Sequence, residues 1–457
     1  MALDLDQNPI GTELARILVS GSKPVKFSTT LTLHTTALDI PIAKLISKDR
    51  VKDFVNMVGD VIHVEFTMPL GDYSFNLYPY RNNLEITESK VQLSSTGSDV
   101  TPNTPIVLER YKAIFMTNNK KIEGTEYKHA DQESMNLVEV VTVHLQLVNT
   151  SLEQLRTVTI GYSIQNQTPE DIIRAVIGSE CLKVTVAGKP SIDMLDIVPA
   201  DNTAIKNSIV FPHGTHLLSV PTNIQERQGG VYNTGIGTYV QAYKGKTIFY
   251  VYPLYKTQAP SSNKPSIIFY SIPKSKYPTL DVTYRTDGLV TYIVGTGDKE
   301  YKDDAEVGYM NKGVGFRMVD ANAIMLQPVI MGPDGPIGSR AQLNTEITSK
   351  IRTDGTNYIP FASQPISSNQ FTQVSRVQSK AGGTLIFTWE NCDTSLLVPG
   401  MAAKVVYFNE MTRVELMGTL LHIHEFTKMS GQGMQSSLYG TTAALTIFVE
   451  QLPESLK

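Results

Sequence analysis

Alternation of apolar and polar positions at period two dominates the chain. Over residues 61–68, Ile62, Val64, Phe66 and Met68 alternate with Val61, His63, Glu65 and Thr67, which predicts a strand with one apolar face. Pro69-Leu70-Gly71-Asp72 follows as a reversing connector. A looser alternation from Tyr73 predicts a second strand, and Asn82-Asn83 a turn before a third at 84–87. Residues 61–87 thus read as a meander with one face on a core and the other against water or a neighbouring chain. Further strands are expected at 25–38, where Phe27, Thr29, Leu31 and Leu33 alternate, at 106–116, at 137–148 and at 155–164. In 137–148, Leu137, Val141, Val143, Leu145 and Leu147 form the core face, with Glu139 near its wetted end. His144 lies on the mixed face as a solvated or interface residue.

The period changes twice. Ile42, Leu45, Ile46, Val51, Phe54, Val55 and Val58 fall near helical spacing between Pro41 and Gly59, so 42–58 predicts an amphipathic helix. Thr168-Pro169-Glu170-Asp171 supplies an N-cap, a proline at the first helical position and acids at the positive dipole end. The stripe Ile172, Ile173, Val176 and Ile177 follows, and Gly178 ends the expected helix. Residues 180–220 are mixed. Residues 221–257 join a glycine-rich connector to an aromatic strand pair, residues 332–336 form a turn cluster, and residues 363–373 a Ser/Gln-rich connector. Four strands close the chain, at 383–389, 402–409, 412–426 and 437–449, with the turn Pro399-Gly400 ahead of the second. No internal repeat links 61–87 with 402–426.

Composition narrows the class. At 457 residues the chain accommodates about three domains of roughly 150 residues. With 41% hydrophobic and only 18% charged residues, the balance favours β structure and polar interfaces over helical bundles. A formal net charge of -4 provides no basic stripe to neutralise phosphates, which disfavours sequence-specific nucleic-acid binding and leaves a nucleic-acid conduit open. Cys181 and Cys392 are too few for a disulfide framework and are expected as unpaired thiols. The first 20 residues place acids ahead of a short apolar run, so neither a signal peptide nor a membrane span is expected, and no membrane binding.

Candidate chemistry is sparse. Gly229, Gly230, Gly235 and Gly237 fit no phosphate-loop pattern and read as tight turns. The acids of 296–306 lack the EF-hand arrangement and read as a solvated loop. His213 and His216 have no further ligand at close spacing. His422 and His424 share a strand face while Glu425 points to the other, so the three do not converge on a metal, and the two histidines read as part of a wetted wall. No catalytic, cofactor-binding or metal-ligating residue is assigned, and an enzyme is not expected. Tyr73, Phe75, Tyr78 and Tyr80 interleave with polar residues and suit a subunit interface, with Asp72 at its edge and Arg81 anchoring a carboxylate. The alternative is that the tyrosines cap an ordinary core.

The motifs ERYKAIF, VVTVHLQLV and LRTVTIGYSIQNQTPEDIIRAVIG, in that order, resemble the first domain of contractile-tail bacteriophage baseplate hub proteins, to which the hubs of type VI secretion spikes are similar. IFYVYPLY and IIFYSIP resemble the middle domain of such hubs. LLVPGMAAKVVY, MGTLLHIHEFT and SSLYGTTAALTIFVE are similar to their second tube-like barrel. The resemblance implies a mainly β (α+β) chain with two tail-tube-like antiparallel β-barrel domains flanking a mixed α/β middle region. Its divisions would be an N-terminal arm (1–24), a first barrel with appended helix (25–205), a middle domain (206–365) and a second barrel (366–457). It further implies a structural homotrimer in the virion tail baseplate, assembled in the host cytoplasm, joining a sixfold tail tube to a threefold central spike and enclosing a genome-passage channel. Its partners would be the tail tube protein, the central spike protein and baseplate wedge or other hub proteins, with DNA only in transit and no cofactor. Asp72, Tyr73, Tyr78, Tyr80 and Arg81 would lie at the subunit interface, and His422 and His424 on the channel or interface wall. Two other readings also accommodate the β content. A carbohydrate-active phage depolymerase needs paired carboxylates beside aromatic platforms. A β-jelly-roll receptor-binding or capsid protein would bind cell surfaces instead.

Overall fold

Six strands of alternating pattern open the chain: β1 (Lys26–His34), β2 (Lys44–Asp53), β3 (Val61–Pro69), β4 (Leu84–Leu93), β5 (Ile106–Phe115) and β6 (Val140–Asn149). The computed structural model describes residues 26–93, 106–116, 140–186, 188–228, 230–232, 234–273, 283–296, 302–303, 318–319, 331–332, 335–336, 346–347, 383–409, 412–429 and 439–449. The expected arm at 1–24, the turn at 118–119, the connector at 363–373 and most of the acidic loop at 296–306 lie outside them. The strands pair antiparallel in the order β2-β3-β6-β5-β4-β1. The pairing then turns back towards its start. Asp39–Pro41, just ahead of β2, pairs with β1, and Ile42 N donates to Leu31 O at 2.9 Å. Leu31, Leu33, Leu45, Ile62, Val64, Phe66, Val143, Leu145 and Leu147 point into one core, so the inward faces of β3 and β6 are those the alternation selects.

Two sequence expectations fail in this unit. Residues 44–53 form a strand rather than a helix, because its inward positions are charged: Lys48, Arg50 and Lys52 are buried. A bulge between Leu45 and Ser47 breaks the alternation at Ile46, so Leu45 and Ile46 stand three and four residues after Ile42 and mimic helical spacing. Residues 70–80 are not the second strand of a meander. They run through the helical turns Leu70–Asp72, Tyr73–Leu77 (π-type) and Tyr78–Tyr80. Leu70 and Leu77 are buried and Tyr73 and Tyr80 pack beside them, a spacing of three, four and three that is helical.

A mixed unit follows. Helix α1 (Thr150–Thr157), capped by Asn149 accepting from Leu152 N at 2.9 Å, stands where a strand start was expected. β7 (Thr159–Gln167) comes next. Helix α2 (Pro169–Lys183) begins at the Thr168 cap as expected, but runs past Gly178 because Cys181 continues its buried stripe. β8 (Met194–Ile197), β9 (Lys206–His216), helix α3 (Val220–Arg227), β10 (Ile236–Tyr243) and β11 (Lys246–Pro253) complete the unit. β7 pairs with β9, and β8-β11-β10 form a three-stranded sheet. This sheet is covered on both sides. Val240, Phe249 and Val251 join the helices' core, whereas Tyr239, Ile248, Tyr250 and Tyr252 join the next one.

The last unit combines β12 (Ser266–Ser271), β13 (Tyr284–Asp287) and β14 (Val290–Gly295) with β15 (Gly383–Glu390), β16 (Ala402–Asn409), β17 (Thr412–Met429) and β18 (Tyr439–Val449). The four C-terminal strands fall where the sequence places them. β12 runs parallel to β14 and β16, β13 pairs with β14, and β16-β17-β18-β15 pair antiparallel. Thr296 and Thr388 exchange backbone hydrogen bonds of 3.1 and 2.7 Å, linking the end of β14 to β15. Gly295 permits this approach: a Cβ there would lie 2.5 Å from Thr388 O. Gly400, at φ 63°, makes the turn ahead of β16 against Tyr252.

One antiparallel pairing, β2 with β17, fuses the first and last units into a single mixed sheet, with His422 opposite Asp53 and Lys428 opposite Ser47. The loop after β2 strengthens the contact. Phe54 is buried in the last unit's core, its N donates to Leu421 O at 3.0 Å, and its O accepts from Tyr252 Oη at 2.6 Å.

Candidate functional site

The junction of β2 and β17 gathers most of the buried charge among the described residues. On its inner face Lys48 pairs with Glu88 and lies 2.9 Å from Glu425. Arg50 pairs with Glu88 and lies 3.4 Å from Asp60 and 3.8 Å from Glu425, while Lys52 lies 4.0 Å from Asp60. Tyr111 accepts from Arg50 at 2.7 Å and donates to Glu109 at 2.7 Å, Thr394 donates to Glu425, and Tyr239 donates to Asp60 at 2.5 Å. The cluster thereby ties strands from all three units. Burial opposes ionisation of Glu425, but Lys48 and Arg50 hold its carboxyl below the usual range, and Arg50 and Lys48 do the same for Glu88. Burial likewise works against the charge of Arg50, and Glu88 foremost raises its pKa nonetheless. A small polar cavity beside the cluster is lined by Lys90, Cys392, Asp393 and Ser395 among others. Burial first, then Glu425 and Asp393, push the Cys392 thiol well up, so it is not a ready nucleophile.

The outer face of the same pairing carries His422 and His424. His422 Nδ1 lies 3.1 Å from Asp53, and His424 Nε2 lies 2.7 Å from Asp49. Burial raises the Asp53 pKa, yet hydrogen bonds from His422 and Asn56 hold it below the usual carboxylate range. His422 is half-buried and His424 exposed, and Glu425 points to the opposite side, into the charge cluster. Among the described residues no group of three or more His, Cys, Asp or Glu is placed to hold a metal, and no helix is long and apolar enough to cross a membrane. Cys181 and Cys392 are free thiols.

The helical turns at 70–80 place the interface candidates. Tyr73 and Tyr80 pack on the first core. Tyr78 lies under the Arg81 guanidinium, 4.5 Å from ring centre to Cζ, and Arg81 donates to the Tyr78 carbonyl at 3.2 Å. Asp72 is exposed and accepts from Asn76 at 3.0 Å. Phe75, 63% exposed, forms the apex. The strand reading scattered these residues over both faces, whereas the turns gather Asp72, Phe75 and Arg81 on the outside. Sequence reasoning missed the charge cluster altogether. Its signal was the run Lys48-Asp49-Arg50-Val51-Lys52-Asp53, whose basic residues recur at every second position and so share one face of a strand. Trp389, the sole tryptophan, is fully buried and offers no exposed aromatic platform.

No family model matches the chain, and no curated protein matches it. Solved structures do. It is similar to the tail protein of Neisseria meningitidis MC58, with 11% identity and a TM-score of 0.44 over 92% of this chain and 96% of that one. It is also similar to the 43 kDa tail protein of prophage MuSo2 from Shewanella oneidensis, with 10% identity and a TM-score of 0.45 over 92% and 98%. The E. coli c3393 protein, a component of the type VI secretion system, matches with 8% identity and a TM-score of 0.35 over 94% and 75%. The structural neighbours are thus phage tail and baseplate proteins and type VI secretion proteins.

Proposed function

We propose that this chain is a structural baseplate hub, three copies of which join a sixfold tail tube to a threefold central spike around a channel for DNA in transit. The observation that carries the reading is the pair of β units, distant in sequence, whose strand pairings each turn back on themselves and which meet edge to edge through β2 and β17. Each unit is a tube-like barrel in this reading, one drawn from residues 26–149 and the other from 266–295 together with 383–449. Three copies then offer six barrels in a ring, and cyclic closure covers sheet edges that would otherwise template aggregation. The order of the hub-like motifs along the sequence supports the same assignment. The role is one of shape rather than catalysis, exercised in the virion baseplate against tube, spike and neighbouring baseplate proteins. The His422–Asp53 and His424–Asp49 face is the channel wall, where histidines already engaged by carboxylates hold DNA phosphates only weakly.

The turn at 70–81 is the seam between copies. Tyr73 and Tyr80 anchor it, and Asp72, Phe75, Tyr78 and Arg81 meet the next subunit. Native mass measurement and electron-microscopy averaging of the purified protein are expected to give a trimer with a central hole. A monomer at micromolar concentration, with no ring in images, overturns the reading. The triple substitution Phe75→Ser, Tyr78→Ser, Arg81→Ser is expected to weaken the trimer at least tenfold while leaving near-ultraviolet circular dichroism unchanged. A trimer of undiminished stability places the seam elsewhere.

A further inference from the structure

Among the described residues, the cluster at the β2–β17 junction holds one carboxylate more than it holds cations. Lys48, Arg50 and Lys52 face Asp60, Glu88, Glu109 and Glu425. Glu88, Glu425 and Asp60 each lie within ion-pair distance of a lysine or arginine. Among the described residues Glu109 does not. Its partners are the Tyr111 hydroxyl at 2.7 Å and the Asn149 amide, which donates to Oε1. Tyr111 has one proton to give, and Glu88 Oε2 competes for it at 3.3 Å.

We propose that Glu109 is a proton-binding site built into the junction, protonated in the packed arrangement, and that its ionisation unsettles the seat between the first β unit and helix α1. Glu109 is a half-buried fourth negative charge beside three cations, it stands directly opposite Glu88, and a proton relieves that like-charge repulsion. The groups facing Glu109 are Arg50 and Lys52 on β2, Asp60 in the following loop, Glu88 on β4, Tyr111 beside it on β5 and Asn149 at the end of β6. Tyr239 on β10 and Glu425 on β17 stand behind them. Burial first, then Asp60, push the Glu109 carboxyl up to about 7. The coupling to α1 is direct, because the Asn149 side chain that holds Glu109 also caps that helix through Leu152 N.

The sign follows from linkage. An acid whose pKa is higher in the folded chain than its ordinary 4.5 keeps its proton where the unfolded chain has lost it. Its contribution to stability is complete below about 4.5, declines as pH rises through the window to about 7, and is level above that. Glu109→Gln mimics the protonated side chain and lacks this dependence. Between pH 5 and pH 7 the folding constant of the parent is expected to fall relative to that of E109Q by roughly fortyfold. The comparison cancels the histidines and the depressed carboxylates common to both. Potentiometric titration of the native proteins from pH 5.5 to 8.5 is expected to release about one proton more per chain from the parent than from E109Q. Asp60→Asn removes the neighbouring acid and is expected to move that step to lower pH, which tests the charge count should E109Q fold poorly. Superimposable titrations of parent and E109Q, or a step that D60N leaves in place, overturn the proposal.

Discussion

Glu425→Ala is expected to lower the stability of the chain by about 3–5 kcal/mol, the usual cost of removing one partner of a buried ion pair. The loss comes less from the missing attraction than from what remains: Lys48, 1% exposed, and Arg50, 6% exposed, stay in the interior facing one carboxylate fewer. Thr394 also loses the acceptor of its hydroxyl. Glu425→Gln keeps the shape and an acceptor, and loses less. The pH profile separates this from a packing defect. Because the folded pKa of Glu425 is depressed, its contribution is present above about pH 4.5 and declines as pH falls towards the folded value, so the gap between parent and E425A narrows in acid. Chemical denaturation at pH 7 and pH 3 reads both effects. A loss under about 1 kcal/mol at pH 7 removes the junction from the list of structural determinants.

Trp389→Ala is expected to cost about 3–5 kcal/mol, the range for emptying a large buried aromatic site. Trp389 is fully buried, stands opposite Ala443 on β18, packs edge-on against Tyr284 at 5.3 Å, and donates through Nε1 to Thr283 Oγ1 at 2.9 Å. Thr283 in turn donates to Glu390 O at 2.6 Å, so the indole connects the segment leading into β13 with β15. Its neighbour Thr388 carries the backbone link to Thr296. Hydrogen exchange at Thr296 and Thr388 is therefore expected to quicken more than at β3 or β6. Uniform acceleration across all three units shows instead that they unfold as one. In the parent, emission from this sole tryptophan reports the last unit specifically.

Local chemistry was legible where one face of an element is apolar. β6 shows Val141, Val143, Leu145 and Leu147 on its inner face, α2 starts at the Thr168 cap, and the four C-terminal strands lie within a few residues of their expected positions. β2 was misread for the converse reason. Its inner face is Lys48, Arg50 and Lys52, and period counting looks for oil on the inside, not salt. The turns at 70–80 were hidden by tyrosines, which suit strands by propensity, although Leu70, Tyr73, Leu77 and Tyr80 keep helical spacing. The pairing of β2 with β17, and of β12 with β16, has no local signal at all. Asp72, Tyr78 and Arg81 were singled out from the interleaving of tyrosines with polar residues, and only the turn geometry distinguishes them from Tyr73 and Tyr80, which face the core. Glu109 looked like one more polar residue in ERYKAIF, because the strands that enclose it are assembled from remote parts of the chain.

His424 and Asp49, in contact across the junction, are 375 residues apart in the chain. At about 5–20 residues per second of synthesis, β2 emerges roughly 20–75 s before the strand that will cover it. For that interval the first unit presents a naked edge to the cell. That edge carries Lys48, Asp49, Arg50, Lys52 and Asp53, a density of charge that resists pairing with stray strands. The ions that later lock the finished junction thus serve first as a guard on the nascent chain, and a β2 made apolar to strengthen the fold would aggregate before β17 arrived.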